Sequence, residues 1–479
     1  MIYVKLNEDN FEYDIYSLVK AFYPKEDVRI GTDEAPVDED VTFTMDVQYA
    51  DHELTLDGRR IEINYADRPD TKNRLKLAIY ESLHQRSGKD LPWGTLTGIR
   101  PTKISLGMIE EGRSDHEIAS YMTDTYLTSK SKIDLSLTVS HKEHELLKHI
   151  DYDNGYSVYI GIPFCPSTCL YCSFTSYPIG LWTKKLDDYI DALEKEMIFT
   201  SESCRGKSLT TIYIGGGTPT SLDAEHLERL LTLIDKYFDT KSLLEYTIEA
   251  GRPDSITYEK LQVMKKHPVT RISINPQTMN QKTLDLIGRF HKVEDIYQVY
   301  GWARELGFKN INMDLILGLP GETIEEVEYT LSEIKKLAPD NLTVHSLALK
   351  HSARLNYDKE AYEDYLIDNS QKHMDICLEA AKDMGMAPYY LYRQKNMAAN
   401  LENIGYATPG NEGLYNILIM EEKQTIMALG CGTACKFVAD HGKSVTRCEN
   451  VKDVQLYMDR IDEMIDRKRE RLREDLKWL

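Results

Sequence analysis

Three cysteines fall within eight residues, Cys165-Pro-Ser-Thr-Cys169-Leu-Tyr-Cys172, a CxxxCxxC spacing that directly follows the run YIGIPF. Thiolates are soft ligands that suit iron, and three of them on one tight loop can hold three irons of a 4Fe–4S cube. The fourth iron is then left open to a chelating substrate. A methionine derivative with free amino and carboxylate groups can bind there and take an electron into its sulfonium. A structural zinc site and three buried thiols are the competing readings. Zinc, however, wants a fourth ligand and more often uses paired CxxC units.

Farther along, Gly215-Gly216-Gly217-Thr218-Pro219 closes a short β-branched run. Residues without Cβ let the backbone approach a ligand closely, although a glycine triplet alone is a common turn. Four polar residues then fall at or just beyond the ends of later apolar runs: Glu249 in TIEAGRP, Gln277 in SINPQT, Arg289 in LIGRFH and Asp314 in NMDLILGLPGET. A carboxylate at the end of an apolar strand costs free energy unless it is paired or hydrogen-bonded, so Glu249 and Asp314 point to ligand or network contacts. Bonding to loop amides is the plainer alternative.

These residues need a scaffold that brings strand ends together. From residue 156 to about 385, short apolar runs alternate with longer amphipathic stretches, the pattern of repeated βα units around a parallel sheet. Strands are predicted at 156–162, 210–214, 246–249, 270–274, 310–316 and 342–347, with helices such as 184–203 and 224–237, the latter after a cap-like Ser221. The fold class is therefore α/β, a partial (β/α)6 TIM-like barrel two units short of closure. Residues 1–150 form a separate α+β domain with strands around 41–64 and helices at 74–85 and 115–125. The barrel occupies 151–385, and 386–479 is a smaller carboxy-terminal, substrate-side domain ending in a charged helix over 452–479, which reads as a solvated face. The run PWGTLTGIRPTK at 92–103 reads first as a structural loop and second as a ligand contact.

Composition narrows the class. Residues are 42% apolar and 28% charged, an ordinary globular balance, and no stretch approaches the ~20 apolar residues of a membrane span. With no basic, apolar leader at the start, no membrane partner is expected and the compartment is expected to be cytoplasmic. Eight cysteines suit a reducing compartment and a metal site better than a disulfide framework. A net charge of −20 gives no general basic surface for a phosphate backbone, so no nucleic-acid partner is expected.

The cysteine spacing is the signature of the radical S-adenosylmethionine (SAM) superfamily, which pairs it with a partial barrel. The GGGTP run and its neighbours resemble the oxygen-independent coproporphyrinogen III oxidase-like family. Runs at 92–103, 388–407 and 422–437 look like its HemZ branch, the coproporphyrinogen dehydrogenases of haem synthesis. By that resemblance Cys165, Cys169 and Cys172 bind the 4Fe–4S cluster. Tyr159, Gly217 and Glu249 line the cluster-bound SAM, and Tyr171, Thr218, Gln277, Arg289 and Asp314 surround a second SAM site. Carboxylates suit the ribose hydroxyls and α-amino group, and the arginine suits the carboxylate. The resemblance further implies SAM cleavage by the cluster and removal of hydrogen from a propionate by the 5′-deoxyadenosyl radical. Loss of carbon dioxide and an electron then leaves a vinyl group, and a second round yields protoporphyrinogen IX. A reduced flavodoxin- or ferredoxin-like donor is the implied protein partner.

Such a substrate is a tetra-anion, so local cations must override the net charge; Arg393, Lys395 and Arg100 are candidates, with Tyr389, Tyr390 and Tyr392 to pack on the macrocycle or in the ordinary way of an aromatic strand. Phe174 stands where the studied oxidase has a further cysteine, and phenylalanine there is the pattern of haem-chaperone relatives. A haem-binding chaperone and a radical SAM haem-modifying enzyme therefore stay open beside the decarboxylase. Cys431, Cys435 and Cys448 read as buried small hydrophobes rather than a second metal site. His291, in GRFH, is either a SAM-side or substrate-side family element or a structural loop histidine.

Overall fold

The computed structural model describes residues 1–33, 40–98, 100–348, 369–393 and 401–478. The chain divides into two compact units, one of Met1–His144 with Leu391–Glu402 and one of Glu145–Tyr390 with Asn403–Leu479.

In the smaller unit a five-stranded sheet, ordered β2-β1-β3-β4-β5, is built from β1 (Ile2–Leu6), β2 (Val28–Gly31), β3 (Phe43–Tyr49), β4 (Glu53–Leu56) and β5 (Arg59–Glu62). Its buried face, with Val4, Met45 and Val47, packs on α1 (Glu12–Phe22) and α2 (Arg68–Ser87) through Ile15, Val19, Leu75 and Ile79. Helices α3 (Thr102–Glu110), α4 (Asp115–Tyr126) and α5 (Lys130–Leu147) follow. The PWGT run serves this core: Trp93 is fully buried and donates to Glu402, which also receives Lys132. Gly94 takes φ +55°, and a Cβ there would meet the Tyr126 carbonyl at 1.9 Å.

The larger unit carries the predicted parallel strands in unbroken order: β6 (Gly155–Ile162), β9 (Ser208–Gly216), β10 (Glu245–Gly251), β11 (Arg271–Ile274), β12 (Ile311–Leu317) and β13 (Asn341–Ser346). Two short strands, β7 (Phe164–Cys165) and β8 (Tyr177–Pro178), pair with each other beside β6. Helices α6 (Leu186–Ser203), α7 (Ala224–Tyr237), α8 (Tyr258–Lys266), α9 (Gln281–Leu286), α10 (Val293–Glu305) and α11 (Ile324–Leu337) connect the parallel strands. The cap of α7 differs from the expected Ser221. Asp223 accepts from the His226 amide at 2.9 Å, because the three residues Pro219–Ser221 are spent on a 3-10 turn.

The expected third domain does not keep a sheet of its own. After α12 (Gln371–Asp383), β14 (Ala387–Tyr392) and β15 (Asn403–Ala407) extend the sheet beyond β13, with β15 antiparallel to it. Past α13 (Leu414–Glu421), β16 (Thr425–Leu429) runs parallel to β6 at the opposite side, followed by antiparallel β17 (Ala434–Ala439) and β18 (Ser444–Glu449). Eleven strands thus form one sheet. Registers place Tyr159, Tyr213, Glu249, Ser273, Asp314 and Thr343 on one face, and Ile160, Ile214, Ile248, Ile272, Met313 and Leu342 on the other. The aliphatic set is fully buried, as expected of a face covered by helices, which leaves a polar inner face available for chemistry.

The charged end of the chain is helical, as α14 (Val454–Asp459) and α15 (Ile461–Arg471), but not wholly solvated. Ile461, Met464, Ile465 and Lys468 form a buried stripe. Lys468 pairs with Glu196 of α6 and donates to the Ala428 carbonyl at 2.6 Å; both charged side chains are at most 1% exposed. Glu196 also accepts from the Gly430 amide at 2.7 Å, from Asn450 at 3.0 Å and from Tyr457. Removing one partner of such a pair strands a buried charge. Lys468→Met should therefore cost about 3–5 kcal/mol in urea unfolding, whereas the double variant Glu196→Gln/Lys468→Met should recover most of that loss.

Candidate active site

The cysteine loop is held at both ends of its span. Tyr177 donates its amide to the Pro163 carbonyl at 2.8 Å, so β7 and β8 close residues 163–178 into a ring. The Leu170 amide bonds the Ile287 carbonyl at 3.0 Å, and the Ser167 hydroxyl bonds that of Gly288 at 3.1 Å. Cys165 and Cys169 are buried and Cys172 partly so, and all three are free thiols. Burial pushes the Cys165 thiol up to about 11, against a hydrogen bond with Thr218, and raises Cys172 as well. Thiols so placed give up their protons to a metal rather than to water. Among the described residues, no three His, Cys, Asp or Glu side chains form the tight set a single ion needs; in a cube each thiolate takes a different iron.

Gly217 lies where the end of β9 presses on this loop. A Cβ there would stand 2.6 Å from the Phe164 carbonyl, 2.9 Å from that of Ile162 and 3.0 Å from Cys165 Sγ. Two amides fix the approach, Gly217 to Ile162 at 2.8 Å and Thr218 to Phe164 at 2.7 Å, while Thr218 Oγ1 lies 3.4 Å from Cys165 Sγ. Gly216 has φ +104°, which an L side chain rarely adopts.

On the inner face Tyr213 stacks on Tyr415 at 4.4 Å and lies nearly parallel to Tyr159 at 6.0 Å. Tyr213 donates a short hydrogen bond to Glu249. Burial raises the Glu249 carboxyl to about 7, the Tyr213 hydrogen bond opposes the rise, and Asp314 adds to it. Asp314 moves the other way: burial raises it, but His345, 3.7 Å away, and the Asn312 amide at 2.7 Å outweigh that and hold it below its ordinary value.

Gln277, Arg289 and Tyr171 meet around the β11 and β12 ends. Gln277 has φ 70° and is braced by Asp314 and Ile316 backbone at 2.9 and 3.0 Å. Arg289 is buried, donates to Tyr171 at 3.2 Å and also bonds the Asn275 carbonyl. Gln277 Oε1, Asn275 Oδ1 and Arg289 Nε are buried without a partner. Orphaned buried polar atoms are rare, and a donor and acceptors left open beside a thiol loop fit a polar ligand such as SAM. His291 is buried there too, both ring nitrogens without partners. Burial, then Arg289, lowers it to about 3, so it is neutral.

Other candidates fall elsewhere. Arg393 is in the smaller unit, buried, with Nη1 on the Leu96 carbonyl at 2.5 Å and Nε on that of Leu401 at 3.4 Å. Its donors serve the loop rather than open space. Arg100 and Tyr392 belong to the same unit; Lys395 lies outside the described residues. Tyr389 and Tyr390 pack tilted at 4.8 Å, both buried. Cys431 bonds the Lys452 carbonyl at 2.9 Å, and Cys435 sits opposite Cys448 across β17 and β18, all three buried. The sequence alone did not single out Tyr213 or Tyr415. Tyr213 was visible two residues before the glycine triplet, on the face that strand alternation gives to Gly215.

Residues 159–334 match the Radical SAM superfamily. The chain is 36% identical over 482 residues, 97% of its length and 96% of the relative's, to the oxygen-independent coproporphyrinogen-III oxidase-like protein HemZ of Bacillus subtilis. It is 41% identical over 195 residues to the heme chaperone HemW of the same organism, covering 40% of this chain and 51% of HemW. The structure of the coproporphyrinogen III oxidase HemN from Escherichia coli, a radical SAM enzyme, aligns with TM-score 0.53 and 24% identity over 65% of this chain and 70% of that one. The superfamily uses a 4Fe–4S cluster and SAM, for which the three thiols and the polar strand ends here are suited. The chain belongs to the radical SAM superfamily, in the oxygen-independent coproporphyrinogen-III oxidase-like family of HemZ.

Proposed function

We propose that this protein oxidatively decarboxylates coproporphyrinogen III, turning two propionates into vinyl groups to give protoporphyrinogen IX without oxygen. The observation that carries the reading is the similarity to HemZ over nearly the whole chain, both units included. Each propionate side chain loses a hydrogen atom from the carbon next to the ring, ending in 5′-deoxyadenosine derived from SAM, carbon dioxide from its carboxylate, and one electron to a one-electron acceptor. When bound at Cys165, Cys169 and Cys172, the cluster with SAM supplies one-electron chemistry able to take hydrogen from an unactivated carbon. Around it Gly217 would give the room, Glu249 would take the SAM ammonium with Tyr159 alongside, and Tyr171, Thr218, Gln277, Arg289 and Asp314 would hold a second polar ligand. We assign the reaction to the cytoplasm, with a reduced flavodoxin- or ferredoxin-like protein as electron donor. Among the described residues no helix is long and apolar enough to cross a membrane.

A second reading is favoured by Phe174, which stands on the cysteine loop with 71% of its surface exposed. An apolar ring held in solvent beside the site suits a haem face, as a haem-delivery protein would need.

Anaerobic reconstituted protein given SAM, dithionite and coproporphyrinogen III should yield stepwise loss of two carboxyl groups with matching 5′-deoxyadenosine, followed by mass spectrometry. Alanine at Cys165, Cys169 or Cys172 should abolish SAM cleavage. SAM cleavage with an unchanged porphyrin, together with one-to-one haem binding and transfer to an acceptor, decides for delivery.

Burial raises the Glu249 carboxyl to about 7, and it must ionise to pair with the charge of an ammonium, so SAM affinity should rise with pH toward 7, by at most about tenfold per unit. Glu249→Gln should bind more weakly and lose that dependence in calorimetric titration. An unchanged pH profile in the variant would remove Glu249 from this role.

A further inference from the structure

Arg252 follows β10 directly and is 3% exposed. Its Nε and Nη2 form a two-point pair with Asp254, at 3.0 and 2.6 Å. Its Nη1 turns the opposite way, 2.9 Å from both the carbonyl and the hydroxyl of Ser167 and 3.5 Å from Cys169 Sγ. The planar fork fixes these directions together: a carboxylate that grips one edge aims the other edge at the cysteine loop. Holding the loop needs only the Ser167 contacts. The reach to sulfur places a buried, permanent cation on an atom that carries charge once it ligates iron.

We propose that Arg252 is a positioning residue that raises the reduction potential of the cluster, donating an N–H to the Cys169 sulfur and stabilising the added electron with its charge. Hydrogen bonds to ligating sulfurs and nearby charge are among the levers that set such potentials. One electron passes from a low-potential one-electron donor of the ferredoxin or flavodoxin class to the oxidised cluster, and no bond in the protein forms or breaks. Asp254 offsets part of the charge while it orients the guanidinium. Arg289, the next cation in this region, is turned to Tyr171 and the Asn275 carbonyl instead. The inference rests on Cys169 being a cluster ligand.

The test is a redox titration of the full-length, anaerobically reconstituted protein with dithionite, followed by electron paramagnetic resonance, with iron and sulfide content measured on each sample. Arg252→Gln should shift the midpoint negative, lowering the reduced-to-oxidised ratio at a fixed potential about tenfold, which for one electron is about 59 mV. Arg252→Lys should recover part of the shift, and Asp254→Asn should move the midpoint positive. A fully loaded Arg252→Gln protein with the wild-type midpoint overturns the proposal. If that variant does not load, wild-type midpoints in the other two overturn it equally. Failure of all three to load makes Arg252 a loop-holding residue and overturns it as well. A Cys169→Ala protein that keeps a full cluster would instead show that the ligand assignment is at fault.

Discussion

The site depends on the absence of one carbon atom. With no Cβ at Gly217, the backbone at the end of β9 comes against two carbonyls and the sulfur of Cys165, and two amide hydrogen bonds lock that approach. Any larger residue must push the strand end away from the cysteine loop, because the atoms it would strike are two backbone carbonyls and the short, buried Cys165 side chain rather than a long flexible one. On its other flank the loop is tied to Ile287 and Gly288 beyond α9. The thiols are thus clamped between two βα connections of the same barrel, which is the rigidity that a preorganised site requires.

Electrostatics on the inner face follow from burial acting on two similar groups in different company. Glu249, bonded by a tyrosine and close to another acid, is poised near neutrality, whereas Asp314, beside a histidine and an amide, stays ionised. Two carboxyls on the same face of the sheet, on strands β10 and β12 with β11 between them, therefore offer different chemistry at one pH. Such divergence is a mark of functional rims rather than of packing.

The parallel strands were legible because each is a short β-branched run followed by an amphipathic helix, and the cysteines because their spacing is chemistry in itself. Strands β15 to β18 were not, unlike the aromatic run of β14, since what places them is pairing with β13 and β6 far away in the chain, which no local period encodes. Lys468 was hidden in a run of charges, yet its spacing from Ile461, Met464 and Ile465 is that of a helical stripe, so burial was encoded there after all. Arg252 is the opposite case. A single arginine in a turn has no period, and its meaning comes only from the loop 85 residues earlier that folds onto it.

The pairing of β16 with β6 also bears on how the molecule is made. The Ser157 hydroxyl waits for Gln424, 267 residues later, and Glu196 for Gly430 and Lys468. As the chain leaves the ribosome, the first barrel strand therefore presents a bare hydrogen-bonding edge until Thr425–Leu429 have emerged, and α6 a carboxylate without its cation until Lys468 has. Assembly must end with the last strands docking onto the first, a closure of high contact order that is slow by nature. Until that pairing is made, the open edge can take up a wrong strand, which is the hazard this topology carries.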